Sequence, residues 1–296
     1  MNTITYTQIK PKLTLASAMF IFGTIGIFRK YIPLPSSVIA LSRGVIGTLF
    51  LLLAVLLKKD KISFKAVKNN LWQLILSGVL IGFNWIFLFE AYRYTTVATA
   101  TLCYYMAPIF VILASPLILK EKLTCKKIIC VTVALIGMVF VSGILQTGFS
   151  AAKELKGVLL GLMAALFYAV IILINKKIQN ISAYDKTILQ LGSAAIVLLP
   201  YTLLTENISS ITITPFVGAM LCITGVVHTG VAYAIYFSVM DKLKAQTVAL
   251  FSYIDPVVAI ILSALFLREK MNLWSAVGAI LVLSATLISE TPEKKP

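Results

Sequence analysis

Long apolar runs broken only by short polar segments dominate the chain. A helix needs about 20 apolar residues to cross a hydrocarbon core of about 30 Å. Windows of that length give ten candidate spans, at roughly 13–29, 36–57, 71–92, 96–119, 127–145, 157–175, 186–204, 215–239, 245–267 and 273–289. They occupy about two-thirds of the chain and leave short connections, with no soluble domain. A membrane β-barrel would show strands of about ten residues with alternating polarity. Stretches such as "VILASPLIL" and "AAIVLLPYTLL" do not alternate. The pattern predicts an all-α integral membrane protein.

The runs repeat. Shifted by 148 positions, "VATATLCYYMAPIFVILASPLILKEK" (97–122) falls on "AQTVALFSYIDPVVAIILSALFLREK" (245–270), with ten of 26 positions identical and no gap. The shared positions include Tyr105/Tyr253, Pro108/Pro256, Glu121/Glu269 and Lys122/Lys270, and upstream Gly82 meets Gly230. Each half holds five spans. An odd number sends the second half into the membrane from the opposite side, so parity predicts an inverted repeat. Secondary transporters use such repeats, with the site near the midplane. The expected division is a first five-helix repeat over 1–146, a linker over 147–156 and a second repeat over 157–296, enclosing a central cavity.

Two segments carry a family resemblance: "APIFVILASPLILKEKL…ALIGMVFVSG" and "DPVVAIILSALFLREKM…VGAILVLSATLIS". An apolar helix with a central proline, ending in Glu-Lys-Leu/Met and followed by another apolar helix, resembles the EamA-type family of the drug/metabolite transporter superfamily. The resemblance implies a ten-helix inverted-repeat carrier of small metabolites, commonly an exporter of amino acids or related compounds. The family's recurring glutamates map to Glu121 and Glu269. The residue before each proline differs, Ala107 in one half and Asp255 in the other, which implies that the halves meet the ligand or coupling ion differently.

Composition agrees with this class: 59% of the 296 residues are hydrophobic and 12% charged, with a mean hydropathy of +0.97. Too few polar side chains exist to cover a soluble surface. The net charge of +15 belongs to loops rather than to a nucleic-acid face. With the N-terminus in the cytoplasm, eighteen basic residues fall inside and seven outside, with Arg43 within a span. The positive-inside rule then places both termini in the cytoplasm of a multi-pass protein of the plasma (inner) membrane. "LTLASAMFIFGTIGIF" is long enough to stay as the first span rather than be cleaved. The four cysteines lack CxxC spacing and read as reduced packing residues.

Polar groups within spans cost energy and so point to chemistry. Asp255 sits near the middle of the ninth span, where an Asp costs about 2.5–3.5 kcal/mol. It either closes a helix junction through hydrogen bonds or handles substrate and protons. Pro108 and Pro256 free the carbonyls of Tyr104 and Ser252, which marks two kinked helices or a central cavity. His228, the single histidine, is either a buried hydrogen-bonded ring or a proton-sensitive ligand, and an Asp255–His228 pair is a candidate proton exchanger. Arg43 has three readings: snorkelling to the interface, binding a carboxylate or phosphate, or pairing with Asp255 or Glu90. Asn84, Trp85, Tyr104, Tyr105, Tyr168 and Tyr253 are candidates to line a ligand pocket, against the plainer reading as packing. Glu121 and Glu269, at span ends among basic residues, read first as end caps and ion pairs. Gly78/Gly82 and Gly157/Gly161 read as close helix contacts.

The expected activity is secondary transport of a small polar metabolite by alternating access, in the direction of efflux. The chain carries no GxxxxGK[ST] loop for a nucleotide, no HExxH or multi-histidine metal centre and no sign of a cofactor. Substrate, protons and the lipid bilayer are the expected partners, nucleic acid is not, and either a monomer or a homodimer fits. A passive channel and an intramembrane enzyme are the alternatives. The enzyme is the weaker of the two, since only one aspartate lies within the spans and no GxSxG accompanies His228.

Overall fold

The computed structural model describes residues 3–57, 63–118, 124–141, 152–240, 242–243 and 251–290. The helices are α1 (Thr3–Tyr31), α2 (Ser36–Leu57), the short α3 (Phe64–Asn69), α4 (Leu71–Tyr94), α5 (Val97–Tyr104), α6 (Ala107–Ile118), α7 (Cys125–Val141), α8 (Ala152–Asn175), α9 (Ala183–Thr205), α10 (Pro215–Gly225), α11 (Ala232–Met240), α12 (Ile254–Phe266) and α13 (Leu273–Glu290). A π-helical turn, Val226–Val231, joins α10 to α11. No strand occurs among the described residues. Helix starts follow local chemistry. Thr96, Ser182 and Thr214 each accept from the N–H three residues on, at 3.0, 3.0 and 3.3 Å, which satisfies a donor that the first turn leaves open.

Seven stretches are long and apolar enough to cross a membrane: Lys10–Tyr31, Ser36–Leu57, Leu71–Tyr94, Val97–Ala114, Lys153–Asn175, Ala183–Thr205 and Pro215–Tyr236. The chain is thus a multi-pass membrane protein. Of the three other expected spans, α13 covers the whole of 273–289, while α7 is described over 17 residues and α12 over 13. The 13 residues of α12 measure about 20 Å at about 1.5 Å per residue, less than the bilayer core. Residues 142–151 and 244–250, over which the expected fifth and ninth spans continue, lie outside the described residues.

Two expected helices are interrupted. The span at 96–119 breaks between α5 and α6. Pro108 has no N–H to offer the Tyr104 carbonyl. The chain instead tightens, with Met106 N bonded to Cys103 O at 3.1 Å, and restarts with Phe110 N on Met106 O at 3.0 Å. The span at 215–239 is interrupted by the π turn.

α4 packs along α8 and α9, α9 along α2, α7 along α13, and α1 along α11 and α12. Exchanging the halves turns the α4–α8 contact into α1–α11 and α4–α9 into α2–α10. The same exchange carries α2–α9 and α7–α13 onto themselves. At the α7–α13 seam two glycines meet reciprocally. A Cβ on Gly137 would lie 2.9 Å from the Gly278 carbonyl oxygen, and one on Gly278 would lie 2.6 Å from that of Gly137.

One end of the bundle gathers termini of opposite sense. Lys30, at the end of α1, donates to Thr95 O after α4 at 3.1 Å. Lys156, early in α8, reaches the Tyr94 hydroxyl at 2.9 Å. Ser37, starting α2, donates to Glu206 after α9 at 2.7 Å. Val97 N, starting α5, donates to Glu269 after α12 at 2.8 Å. Thus α1 ends at the face where α8 begins.

Candidate functional site

Arg43 lies inside the bundle, 5% exposed, which removes the snorkelling reading. Trp85 and Phe89 are four apart on α4 and so share a face. Both rings cover the guanidinium, with centroids 4.2 and 5.3 Å from its central carbon. A desolvated cation over an indole face gains about 2 kcal/mol, which offsets only part of the cost of burying it. Nε donates to Thr229 Oγ1 at 3.1 Å, and that hydroxyl donates onward to Thr224 O at 3.2 Å. Nη1 and Nη2 have no hydrogen-bonding partner among the described residues. The ion pairs found among those residues are Lys30–Glu269 at 3.6 Å and Arg93–Glu90 at 2.8 Å. The expected alternatives Arg43–Asp255 and Arg43–Glu90 are therefore not formed.

His228 precedes Thr229 on the π turn and is buried. Its Nε2 is 2.7 Å from Thr24 Oγ1, its Nδ1 is 3.4 Å from Ile223 O, and its ring meets Phe28 edge-on at 4.7 Å. No hydrogen bond or ion pair joins it to Asp255 among the described residues, so the expected proton-exchanging pair is not assembled. The physical reason is α1, which stands between them. Thr24 takes His228 on one side, while Gly23 brings α1 against the Asp255 carbonyl oxygen, 2.6 Å from where a Cβ would sit.

Asp255 opens α12 and is half-buried. The Tyr105 hydroxyl donates to Ser252 O at 2.9 Å and lies beside the Asp255 carboxylate. Tyrosine rings run in series from α8 to this point. Tyr168 stacks on Tyr104 at 5.2 Å and 28°, Tyr104 meets Tyr105 at 6.4 Å, and Tyr105 meets Tyr253 at 6.1 Å. Tyr92, bonded to Thr101 at 3.3 Å, lies within electrostatic reach of both Arg43 and Asp255.

The structure therefore gathers Arg43 and Trp85 at one place and Asp255, Tyr253 and Tyr168 at another, with Tyr104 within electrostatic reach of both Arg43 and Asp255 and His228 next to Thr229 on the π turn. Asn84 is tied elsewhere: its amide donates to Ala164 O on α8 at 2.6 Å. Pro108 and Pro256 sit in the first turns of α6 and α12. Glu269 caps α5 and pairs with Lys30. It is aimed there by Arg268, whose backbone is left-handed at φ 53°. Glu121 lies outside the described residues. Sequence reasoning missed Phe89, Thr24 and Thr229. Phe89 was findable as the residue one turn beyond Trp85, whereas threonines in spans are too common to stand out.

Toward the end where α1 leaves and α2 enters, a cavity of about 670 Å³ opens, lined among others by Arg29, Ser36, Ser37, Glu90, Arg93 and Glu206. Arg29 is buried and bonded to Phe89 O at 3.2 Å, Ile32 O at 2.8 Å and Ser36 Oγ at 3.2 Å. Ser36 donates to Glu90 at 2.6 Å. Phe89 connects this vestibule to the interior, its carbonyl held by Arg29 and its ring against Arg43. No group of three or more metal-ligating side chains occurs among the described residues. A guanidinium with one open end suits a planar anion, and tyrosine faces suit an organic body.

Known proteins share this chain's pattern. An uncharacterized transporter of Bacillus subtilis, YxxF, is 29% identical over 279 residues, covering 94% of this chain and 88% of its own length. The PecM protein of Dickeya dadantii is 27% identical over 224 residues, covering 74% of this chain and 73% of its own. One solved crystal structure superposes with a TM-score of 0.66 at 17% identity, over 96% of this chain and 97% of that one, a likeness of fold. The EamA-like transporter family is matched twice, at residues 10–143 and 155–291. On these matches the chain belongs to the EamA-like transporter family, a membrane transporter of small solutes.

Proposed function

We propose that the protein is a secondary carrier exporting a small polar metabolite, an amino acid or related zwitterion or organic anion, across the plasma membrane. Two inverted five-helix units would expose a central site to each side in turn. The observation that carries this reading is Arg43, a buried cation with aromatic rings against it, no carboxylate partner among the described residues and two free nitrogens. Such a charge is costly in a span unless a ligand meets it. The opposed ends of α1 and α8, and the exchange of contacts between halves, support the inverted arrangement.

The positive-inside distribution supports an outer-face vestibule at Arg29 and Glu90, with Phe89 leading from it to Arg43. Asp255, half-buried beside Tyr105, faces the other pole of the site and is the candidate for an ammonium group or a coupling proton. The test is thermal unfolding of the purified protein across amino acids, amines, nucleosides and organic acids. Carboxylate-bearing compounds are expected to raise the midpoint in wild type and to have no effect on Arg43→Gln. Stabilisation by amines or nucleosides alone would overturn the reading. Counterflow in proteoliposomes separates a carrier from a passive channel, which shows flux without saturation or exchange. An Asp255→Asn variant that transports at the wild-type rate, with the same pH dependence, would remove the proton role.

A further inference from the structure

The two halves differ by one residue at an informative place. "LILSGVLIG" (74–82) on α4 corresponds to "LCITGVVHTG" (221–230) on α10 and the π turn. Leu74, Ser77, Gly78 and Gly82 match Leu221, Thr224, Gly225 and Gly230, with one more residue between the second pair of glycines. An α-helix returns to nearly the same face after about four residues, and a π turn after about five. The π turn Val226–Val231 therefore absorbs the insertion and keeps both glycines on one side. Gly225 and Gly230 face Ile46 and Phe50 of α2, as Gly78 and Gly82 face α9. The packing of the half is preserved.

The insertion changes the interior. Where α4 carries the aliphatic Leu80 and Ile81, the π turn carries His228 and Thr229. Both reach back five residues to carbonyls of the interrupted ladder, His228 Nδ1 toward Ile223 O and Thr229 Oγ1 to Thr224 O. With its proton committed to Thr224 O, the Thr229 oxygen has only lone pairs to offer, and Arg43 Nε donates to them at 3.1 Å. Gly47, one turn along α2 from Arg43, makes room for the Thr229 methyl. The Nε edge of the guanidinium is thereby closed, and Trp85 covers a face. An anion can meet it through the Nη1–Nη2 end alone.

We propose that the inserted residue is a specificity device: Thr229 is a positioning residue that locks Arg43 so that the site takes a carboxylate end-on, both oxygens on Nη1 and Nη2. This rests on the reading of Arg43 as the ligand cation.

The experiment uses the full chain. The protein has three tryptophans, of which Trp72 and Trp274 are exposed. Replacing both by Phe leaves Trp85 as the single indole, reporting the guanidinium over its ring. Thr229→Ser is expected to keep the wild-type Trp85 lifetime and emission maximum. Thr229→Val, and deletion of Val227 to close the π turn into an α turn, are expected to shift both to the Arg43→Gln values. Thr229→Val added to Arg43→Gln is expected to change nothing further. A second readout uses a mixture of the twenty common L-amino acids as probe and the corresponding amides as its carboxylate-free control. The half-saturating concentration for thermal stabilisation by the acids should rise at least tenfold in Thr229→Val and return in Thr229→Ser. A Thr229→Val protein with wild-type Trp85 emission overturns the positioning role, as does an equal shift in Thr229→Ser. If the Val227 deletion does not fold, the Val/Ser pair decides. A wild type that ignores the acids while showing the expected emission pattern overturns the carboxylate assignment and leaves the Thr229–Arg43 coupling standing.

Discussion

The vestibule end of the bundle and its middle both hold buried arginines, and they treat them differently. Arg29, at the vestibule end, spends its three nitrogens on two backbone carbonyls and a serine that in turn donates to Glu90. Arg43, in the middle, has one threonine and aromatic rings. The charges at the vestibule are occupied in tying α1, α2 and α4 together, so their work is structural. The inner charge is held in place but left with two nitrogens unbonded among the described residues, which the proposed role in binding requires.

Substitution should break this contrast or sharpen it. The largest effect is expected at Arg29. Arg29→Gln strands the bonds to Phe89 O and Ile32 O, and at about 1.5–3 kcal/mol per charged hydrogen bond the loss in an unfolding titration in detergent is about 3 kcal/mol. Arg43→Gln should leave that titration within about 1 kcal/mol of wild type, because it removes an incompletely partnered cation. Equal losses at the two positions would make Arg43 a structural residue. Next comes Asn84→Leu, which deletes the α4–α8 tie to Ala164 O. Interhelical hydrogen bonds in membranes are worth about 0.6 kcal/mol on average and up to about 1.7, so a loss near 1 kcal/mol is expected with ligand response intact. Glu269→Ala should cost about 1 kcal/mol by uncapping α5, while Glu269→Gln, which keeps an oxygen for Val97 N, should recover most of it. Smallest is Arg93→Ala. Its pair with Glu90 lies within one helix and is half exposed, so a change below about 0.5 kcal/mol is expected.

Much of this was legible because lipid enforces length. The run read as 36–57 is helix Ser36–Leu57, and the run read as 71–92 is Leu71–Tyr94. Arg43 stood out because a charge within a span has no inexpensive explanation. The π turn was not legible: in a helix apolar on nearly every side, the pattern carries no phase against which an extra residue shows. Nor was the relation of His228 to Asp255. Both lie at middle depth, but depth says nothing of the direction a side chain takes around its helix, and α1 separates them. The break after Tyr104 lay between these cases, since Pro108 announced a disturbance without saying how the chain would resolve it.

The seam between Gly137 and Gly278 constrains how the molecule moves. Each glycine rests against the other's carbonyl with no room for a methyl group, so α7 and α13 meet backbone to backbone, like two rods pinned at a crossing. Sliding there would drive a neighbouring side chain into the facing backbone, and parting would forfeit the close contact. In the proposed alternating-access cycle, rocking about the pin would keep this contact, with the last helix of each half as pivot and the widest excursions in helices far from it.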